Sequence, residues 1–261
     1  MEVHHHSHAH GKKNWKAYIW EFIMLFLAVF CGFLAEYQLE HTIEHQREKE
    51  YMKTMVDDIR SDTAQLTRLI ATRKQRILEL DTLFDLISSG RYIAEGSKVY
   101  ALYEFPYWDI LRFLPSDRTM QQLKNSGNLR LIRKREVSDA LIHYDVWVRN
   151  RKEYESLQAE LATQINPVIE KLIDPDVIHE AKKELIHARI ATDTLISRKD
   201  VGVNFPANIR IAKLEEADKK ALLKYFNEVI LLYTELRNDN ISEKIQAIKT
   251  LELIEKQYGV N

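Results

Sequence analysis

The chain has 261 residues, with 38 lysines and arginines against 39 aspartates and glutamates, for a formal net charge of −1. That balance leaves no general basic field for nucleic acid and no acidic tail. Seven glycines and five prolines disfavour a loop-rich or all-β fold, and a single cysteine excludes an intramolecular disulfide or a cysteine metal cluster, so an all-α class is expected.

Residues 1–16, MEVHHHSHAHGKKNWK, form a His-rich basic tail with His4, His5, His6, His8 and His10. Such a tract binds transition metals. Three origins fit it: an expression tag, an adventitious metal binder and a metal-sensing tail. The adventitious reading is favoured, and no carboxylate second shell is visible to orient the ligands.

Residues 17–39 set the terms for the rest. Phe22 to Ala35 is an unbroken run of fourteen apolar or small residues. With its flanks it reaches the ~20 residues that a helix needs to cross a bilayer, and it is expected to be a single transmembrane helix acting as a signal anchor. Lys12, Lys13 and Lys16 abut the run, whereas the first basic residue after Ala35 is Arg47. The positive-inside rule then places the tail in the cytoplasm and the remainder outside it. No small-residue cleavage site ends the run. Within it Glu21, Leu25, Ala28, Gly32, Ala35 and Leu39 line one seam, and Ala28-x-x-x-Gly32 permits close approach of a second helix. The packing candidates are Glu21, Ala28, Gly32 and Ala35. Glu21 has two readings, snorkelling to the interface beside Lys16 or facing a partner helix, and the first is the simpler.

Residues 40–261 are expected to form a helical bundle domain. From Glu36 to Ser89 there is neither proline nor glycine. Met52, Val56, Ile59, Thr63, Leu66, Ile70, Arg73, Ile77, Leu80, Phe84 and Ile87 recur at steps of four and three, the 3.5-residue repeat of a coiled-coil seam. The membrane helix is expected to run straight into this one, with Gly90 ending it. Residues 91–132 read as an aromatic distal segment. Tyr92, Tyr100, Tyr103, Phe105, Tyr107, Trp108 and Phe113 crowd its first part, and Pro106 and Pro115 break it. Ser116 or Asp117 suits the N-cap of a short helix and Gly127 its end. The basic run Arg130, Arg133, Lys134 and Arg135 reads as a solvated helix start.

A second long helix is expected over about 134–172, kinked at Pro167. Asp174-Pro175 reads as an N-cap followed by proline at the first helical position, opening a third helix to about 198. Residues 199–212 form a non-helical link. A last helix is expected over about 214–258, with the polar Asn238-Asp239-Asn240 as a possible interruption. Helix one goes out, helix two comes back, and the link reaches the far end before the last helix returns. The architecture is thus an elongated antiparallel bundle of about four helices.

His41-Thr42-Ile43-Glu44-His45 matches the inverted zinc-protease pattern H-x-x-E-H. His41 and His45 share a helix face, with Glu44 as a potential base. A solvated face is favoured over either a metal site or catalysis, because no cleft surrounds the motif. His143, His179 and His187 stand alone on helices. No nucleophile elbow or phosphate-binding glycine loop is present. Tyr103, Tyr107, Trp108 and Phe113 are the candidates for binding a partner. The competing and favoured reading is that these aromatics close the open end of the bundle.

The early histidines, Trp20 to Glu36 (WEFIMLFLAVFCGFLAE), Glu44 to Tyr51 (EHQREKEY) and Gln121 to Ile132 (QQLKNSGNLRLI) carry a resemblance. On them the chain resembles an uncharacterised family of membrane-anchored proteins, a domain of unknown function found chiefly in Bacteroidetes-type bacteria. The resemblance implies a bacterial protein, speaks against a tag origin for the histidines, and brings no catalytic or binding residues with it. The expectation is a non-enzymatic, single-pass inner-membrane protein without a cofactor. It would present a periplasmic coiled-coil-like bundle as scaffold or accessory subunit, with a protein partner or as a homo-oligomer. The alternatives are a sensor-like ligand-binding bundle that signals through a separate protein, and a metal-dependent hydrolase at His41 and His45.

Overall fold

The computed structural model describes residues 14–108, 113–149, 160, 163–165, 167–191 and 205–260, without side chains at 104–108, 185 and 189. The described residues are helical or irregular, with no strand among them, and the chain is all-α. Among the described residues, six α-helices of eight or more residues run in the order α1 (Trp15–Ser88), α2 (Gly96–Trp108), α3 (Arg118–Asn125), α4 (Arg135–Arg149), α5 (Pro175–Ile190) and α6 (Glu216–Tyr258). Two compact units divide the chain, Met1–Met52 and Lys53–Asn261.

The first unit is the N-terminal part of α1. Its apolar section is long enough to cross a membrane, and none of that section is buried. The helix continues without a break through Leu34-Ala35-Glu36 to Ser88, as the absence of proline and glycine after Gly32 dictates.

In the second unit α1 packs antiparallel to α6. Arg60 pairs with Glu255 at 2.7 Å, Arg73 donates to the Leu236 carbonyl at 3.4 Å, and Lys219 donates to the Ser88 carbonyl at 3.0 Å. The buried stripe of α1 runs through Met55, Ile59, Asp62, Leu66, Leu69, Arg73, Arg76, Leu80, Leu83 and Ile87, stepping alternately by four and three or three and four. Each fully buried leucine or isoleucine contributes about 1.5–3 kcal/mol relative to an exposed one. Gly90, at φ 77°, ends the helix in the left-handed conformation that glycine adopts without strain.

The far end of this unit is closed by tyrosines. Tyr92, Tyr100 and Tyr103 are buried with Leu80–Ile87, Leu172 and Phe226. The Tyr92 hydroxyl accepts from the Leu214 amide at 2.8 Å, and the Tyr100 hydroxyl accepts from the Asp174 amide at 2.6 Å. Burial pushes the Tyr100 phenol above its ordinary value. The non-helical stretch that begins at Phe205 lies against α2: Ser97 Oγ donates to the Pro206 carbonyl, and the Tyr100 and Phe205 rings stand 5.8 Å apart. The aromatic segment and the link thus meet, as expected.

The return path differs from the expectation. Phe113 packs with Leu66 and Leu69, and Ser116 and Thr119 meet Asp62 and Asp58, so the chain has already travelled back along α1 before α3 begins. Only the first part of the 91–132 segment is distal. Residues 113–117 carry no helix, with Pro115 among them, and extended backbone covers about 3.3 Å per residue against 1.5 Å in a helix. Tyr144 then meets Asp62, and Val148 packs on the Leu66–Leu69 cluster, so α4 runs in the same direction as α1 rather than returning along it. Residues 167–172 continue outward, with Ile169, Leu172 and Ile173 among the distal core residues. The helix expected over 134–172 is seen as α4 and as 163–165 and 167–172; most of what lies between is outside the described residues.

The remaining signals are read as follows. Asp174 caps α5, its carboxylate accepting from the Asp176 amide at 2.9 Å, with Pro175 at the first position. The helix is described to Ile190, with Ala191 at its C-cap, and the rest of the span expected to 198 lies outside the described residues. Asn238-Asp239-Asn240 does not interrupt α6, and Asn240 is instead fully buried in it.

Candidate functional site

On the membrane-length section of α1, Glu21, Leu25, Ala28, Gly32, Ala35 and Leu39 are all exposed. A Cβ added at Gly32 would meet nothing within 4 Å among the described residues, none of which requires glycine there. Phe22, Phe26 and Phe30 stack along another face, with centroids 6.3 and 5.8 Å apart. Phe26 stands about 140° around the helix from Glu21, which separates a ridge of large rings from a smooth stripe of small residues. Trp15, Trp20 and Tyr37 are also exposed and bracket the section. From Trp20 to Tyr37 is about 26 Å along a helix, close to the thickness of a bilayer core.

The HTIEH residues do not converge on one another. The His41 ring stands edge-on to Tyr37 at 4.5 Å. His45 Nδ1 lies 3.3 Å from Glu48 Oε2 rather than beside Glu44. Among the described residues no group of three histidine, cysteine, aspartate or glutamate side chains is placed to hold a metal. His4, His5 and His6 lie outside the described residues. His143, His179 and His187 are exposed, as are Arg130, Arg133, Lys134 and Arg135.

Of the four aromatic candidates for a partner, Tyr103 and Phe113 are buried, each 8% exposed, and serve the core. The side chains of Tyr107 and Trp108 lie outside the described residues.

The most closely knit polar site was not among the candidates. Asp58 and Asp62, one turn apart on α1, are buried and face the start of α3. Asp62 Oδ1 accepts from the Ser116 amide and its Oδ2 from the Tyr144 hydroxyl, both at 2.7 Å, while Asp58 Oδ2 accepts from the Thr119 amide at 3.0 Å. Asp117 makes no side-chain cap of its own, so α1 caps α3 from across the interface. Next to them Asp145 pairs with Lys124 and, at 2.9 Å, with Arg149. A cavity of about 20 Å³ lies among Met55, Asp58, Asp62, Ser116 and Tyr144, room for roughly one water. Burial holds the Asp62 carboxyl above its usual range, opposed by the Ser116 and Tyr144 hydrogen bonds and assisted by the neighbouring charge of Asp58. The arrangement ties three helices together. The signal that could have found it is a pair of acids four apart beside an apolar seam.

The Thr119 hydroxyl is buried without a hydrogen bond. Thr119→Val is therefore expected to leave stability unchanged or to raise it by up to about 1 kcal/mol, as a thermal melt would read.

No family model, curated protein or solved structure matches the chain.

Proposed function

We propose that this is a non-enzymatic, single-pass membrane protein that presents a helical bundle as a scaffold or accessory subunit of a membrane complex. The observation that carries the reading is the continuity of α1, which joins an exposed, membrane-length apolar section to a helix built into a bundle core. The exposed Trp15, Trp20 and Tyr37 suit the two bilayer interfaces. The burial of Tyr92, Tyr100 and Tyr103 in the distal core supports a scaffold over a ligand-binding bundle. In this reading the protein belongs to the bacterial inner membrane, with its tail cytoplasmic and its bundle periplasmic. It is a member of the uncharacterised family that its N-terminal third resembles.

The route to a partner, whether another protein or a second copy, runs through Glu21, Ala28, Gly32 and Ala35. A Cβ added at Gly32 meets nothing within 4 Å among the described residues, whereas a leucine there would hold a second helix away. Gly32→Leu is expected to reduce co-purification or crosslinking from native membranes by about tenfold, the factor that roughly 1.4 kcal/mol of lost helix packing produces. Undiminished complexes would transfer the partner contact to the bundle surface.

A further inference from the structure

The α1–α6 pair has a second face. The Arg60–Glu255 ion pair and the Arg73 bond to the Leu236 carbonyl set its register, bringing Thr63, Ile70 and Lys74 to about the levels of Ile248, Ile241 and Arg237. Asp58 and Asp62, which receive α3 and α4, each stand about 160° around α1 from Arg60. The side marked by Arg60 and Glu255 therefore looks away from α3 and α4. From Arg60, alternating steps of four and three pass through Ala64, Thr67, Ala71, Lys74 and Leu78. Back from Glu255, the same spacing passes through Glu252, Ile248, Ile245 and Ile241.

Much of this face is apolar and open. Leu78 is 52% exposed, Ile245 49% and Ile248 37%. Ala64, Thr67 and Ala71 are exposed and short, so another backbone can come close. A lone surface isoleucine needs no explanation, but these recur at helical spacing on two helices in register. The stretch from Arg60 to Leu78 is about 27 Å long, five turns of helix. Basic charge borders it. Lys74, Arg237, Lys244 and Lys249 form no ion pair among the described residues, and Arg237 Nε is buried without an acceptor. Arg60 already holds Glu255, which leaves Glu252 as the acid of the stripe.

We propose that this face of α1 and α6 docks an amphipathic helix of a different protein, one whose apolar stripe is flanked by aspartates and glutamates. Two packed helices leave a groove between their ridges that takes a third helix. Charge decides the occupant. Acids on the incoming helix would meet Lys74, Arg237, Lys244 and Lys249, whereas a second copy presenting the same face would set these cations against their own kind. Docking here rests on the scaffold reading, since both need a protein partner, but it does not involve the membrane seam.

Two peptides of three heptads test it, each with leucine at the a and d positions and with either glutamate or lysine at e and g. Fluorescence anisotropy reads their binding to the full chain in phosphatidylcholine nanodiscs, with empty nanodiscs as background. The glutamate peptide is expected to bind at least about tenfold more tightly than the lysine peptide. Ile245→Ser with Ile248→Ser, both at exposed positions, should weaken it by about tenfold or more. Lys74→Glu with Lys244→Glu should reverse the preference between the peptides. Absent binding, equal affinities or binding that these substitutions leave unchanged overturns the proposal. So does self-association of the chain that the isoleucine substitutions abolish, which would make a second copy the occupant. The peptides read this face alone and Gly32→Leu reads native complexes through the seam, so either result can fail without the other.

Discussion

Gly96→Ala is expected to lower the stability of the 53–261 bundle by about 1–3 kcal/mol, a fall in melting temperature of roughly 4–10 °C. A Cβ at this position would lie 2.2 Å from the Ile209 carbonyl oxygen and 2.9 Å from its carbon. Both are backbone atoms, so no side-chain rotation relieves the overlap. The first turn of α2 and the stretch around Ile209 must separate, and the Ser97–Pro206 and Tyr92–Leu214 hydrogen bonds hold both in place. Gly32→Ala is the control, because nothing lies within 4 Å of the added carbon. A circular dichroism melt of both variants in detergent reads the difference. Equal melting temperatures would mean that residues 205–214 do not dock on α2 as described.

Asp62→Ala is expected to cost about 2–4 kcal/mol, since it leaves the Ser116 amide and the Tyr144 hydroxyl without their acceptor. The pH dependence has an unusual sign for an aspartate. The folded chain binds the Asp62 proton more tightly than the unfolded chain does, because burial dominates. Its contribution to stability is therefore fully present below the unfolded value of about 3.9 and is lost as pH rises through the raised folded value. Asp62→Asn, which carries no titrating proton, lacks this loss. The stability advantage of the native chain over Asp62→Asn should shrink from acid towards neutral pH in denaturant titrations. An advantage that grows with pH would mean that the folded value is lowered instead.

Much of the fold is legible in the sequence because its determinants are local. The unbroken run after Gly32, the Gly90 stop, the Asp174-Pro175 start and the non-helical approach to α6 all depend on neighbours within a few residues. Most of the core seam is borne out. Met52, Val56, Ile59, Leu66, Arg73, Leu80 and Ile87 are buried as expected. The intervening positions are Asp62, Leu69, Arg76 and Leu83, whereas the apolar pattern had selected Thr63, Ile70, Ile77 and Phe84, which are only partly buried. Asp62 and Arg76 are charged, and a charged residue enters a core only when partners elsewhere in the fold receive it. Those partners, Ser116 and Tyr144 for Asp62, lie 54 and 82 residues away. No local pattern announces these partners; the pair of acids four apart beside the seam points to a site, but not to what meets it. The direction of α4 differs because helix two was expected to make the return along α1, whereas Phe113, Ser116 and Thr119 already lie back beside Leu66, Asp62 and Asp58. Asn240 shows the converse: a polar cluster that reads as an interruption lies within a continuous helix, with Asn240 fully buried.

The central claim is that α1 anchors the bundle in the membrane and presents it on the far side from the tail. A reporter active only outside the cytoplasm, fused after Asn261 and expressed in a bacterial host, tests it directly when paired with one that is active only inside. The account predicts that the first is active and the second silent, with the fusion remaining in the membrane after an alkaline wash. Activity of the cytoplasmic reporter, or release of the protein by the wash, would contradict it.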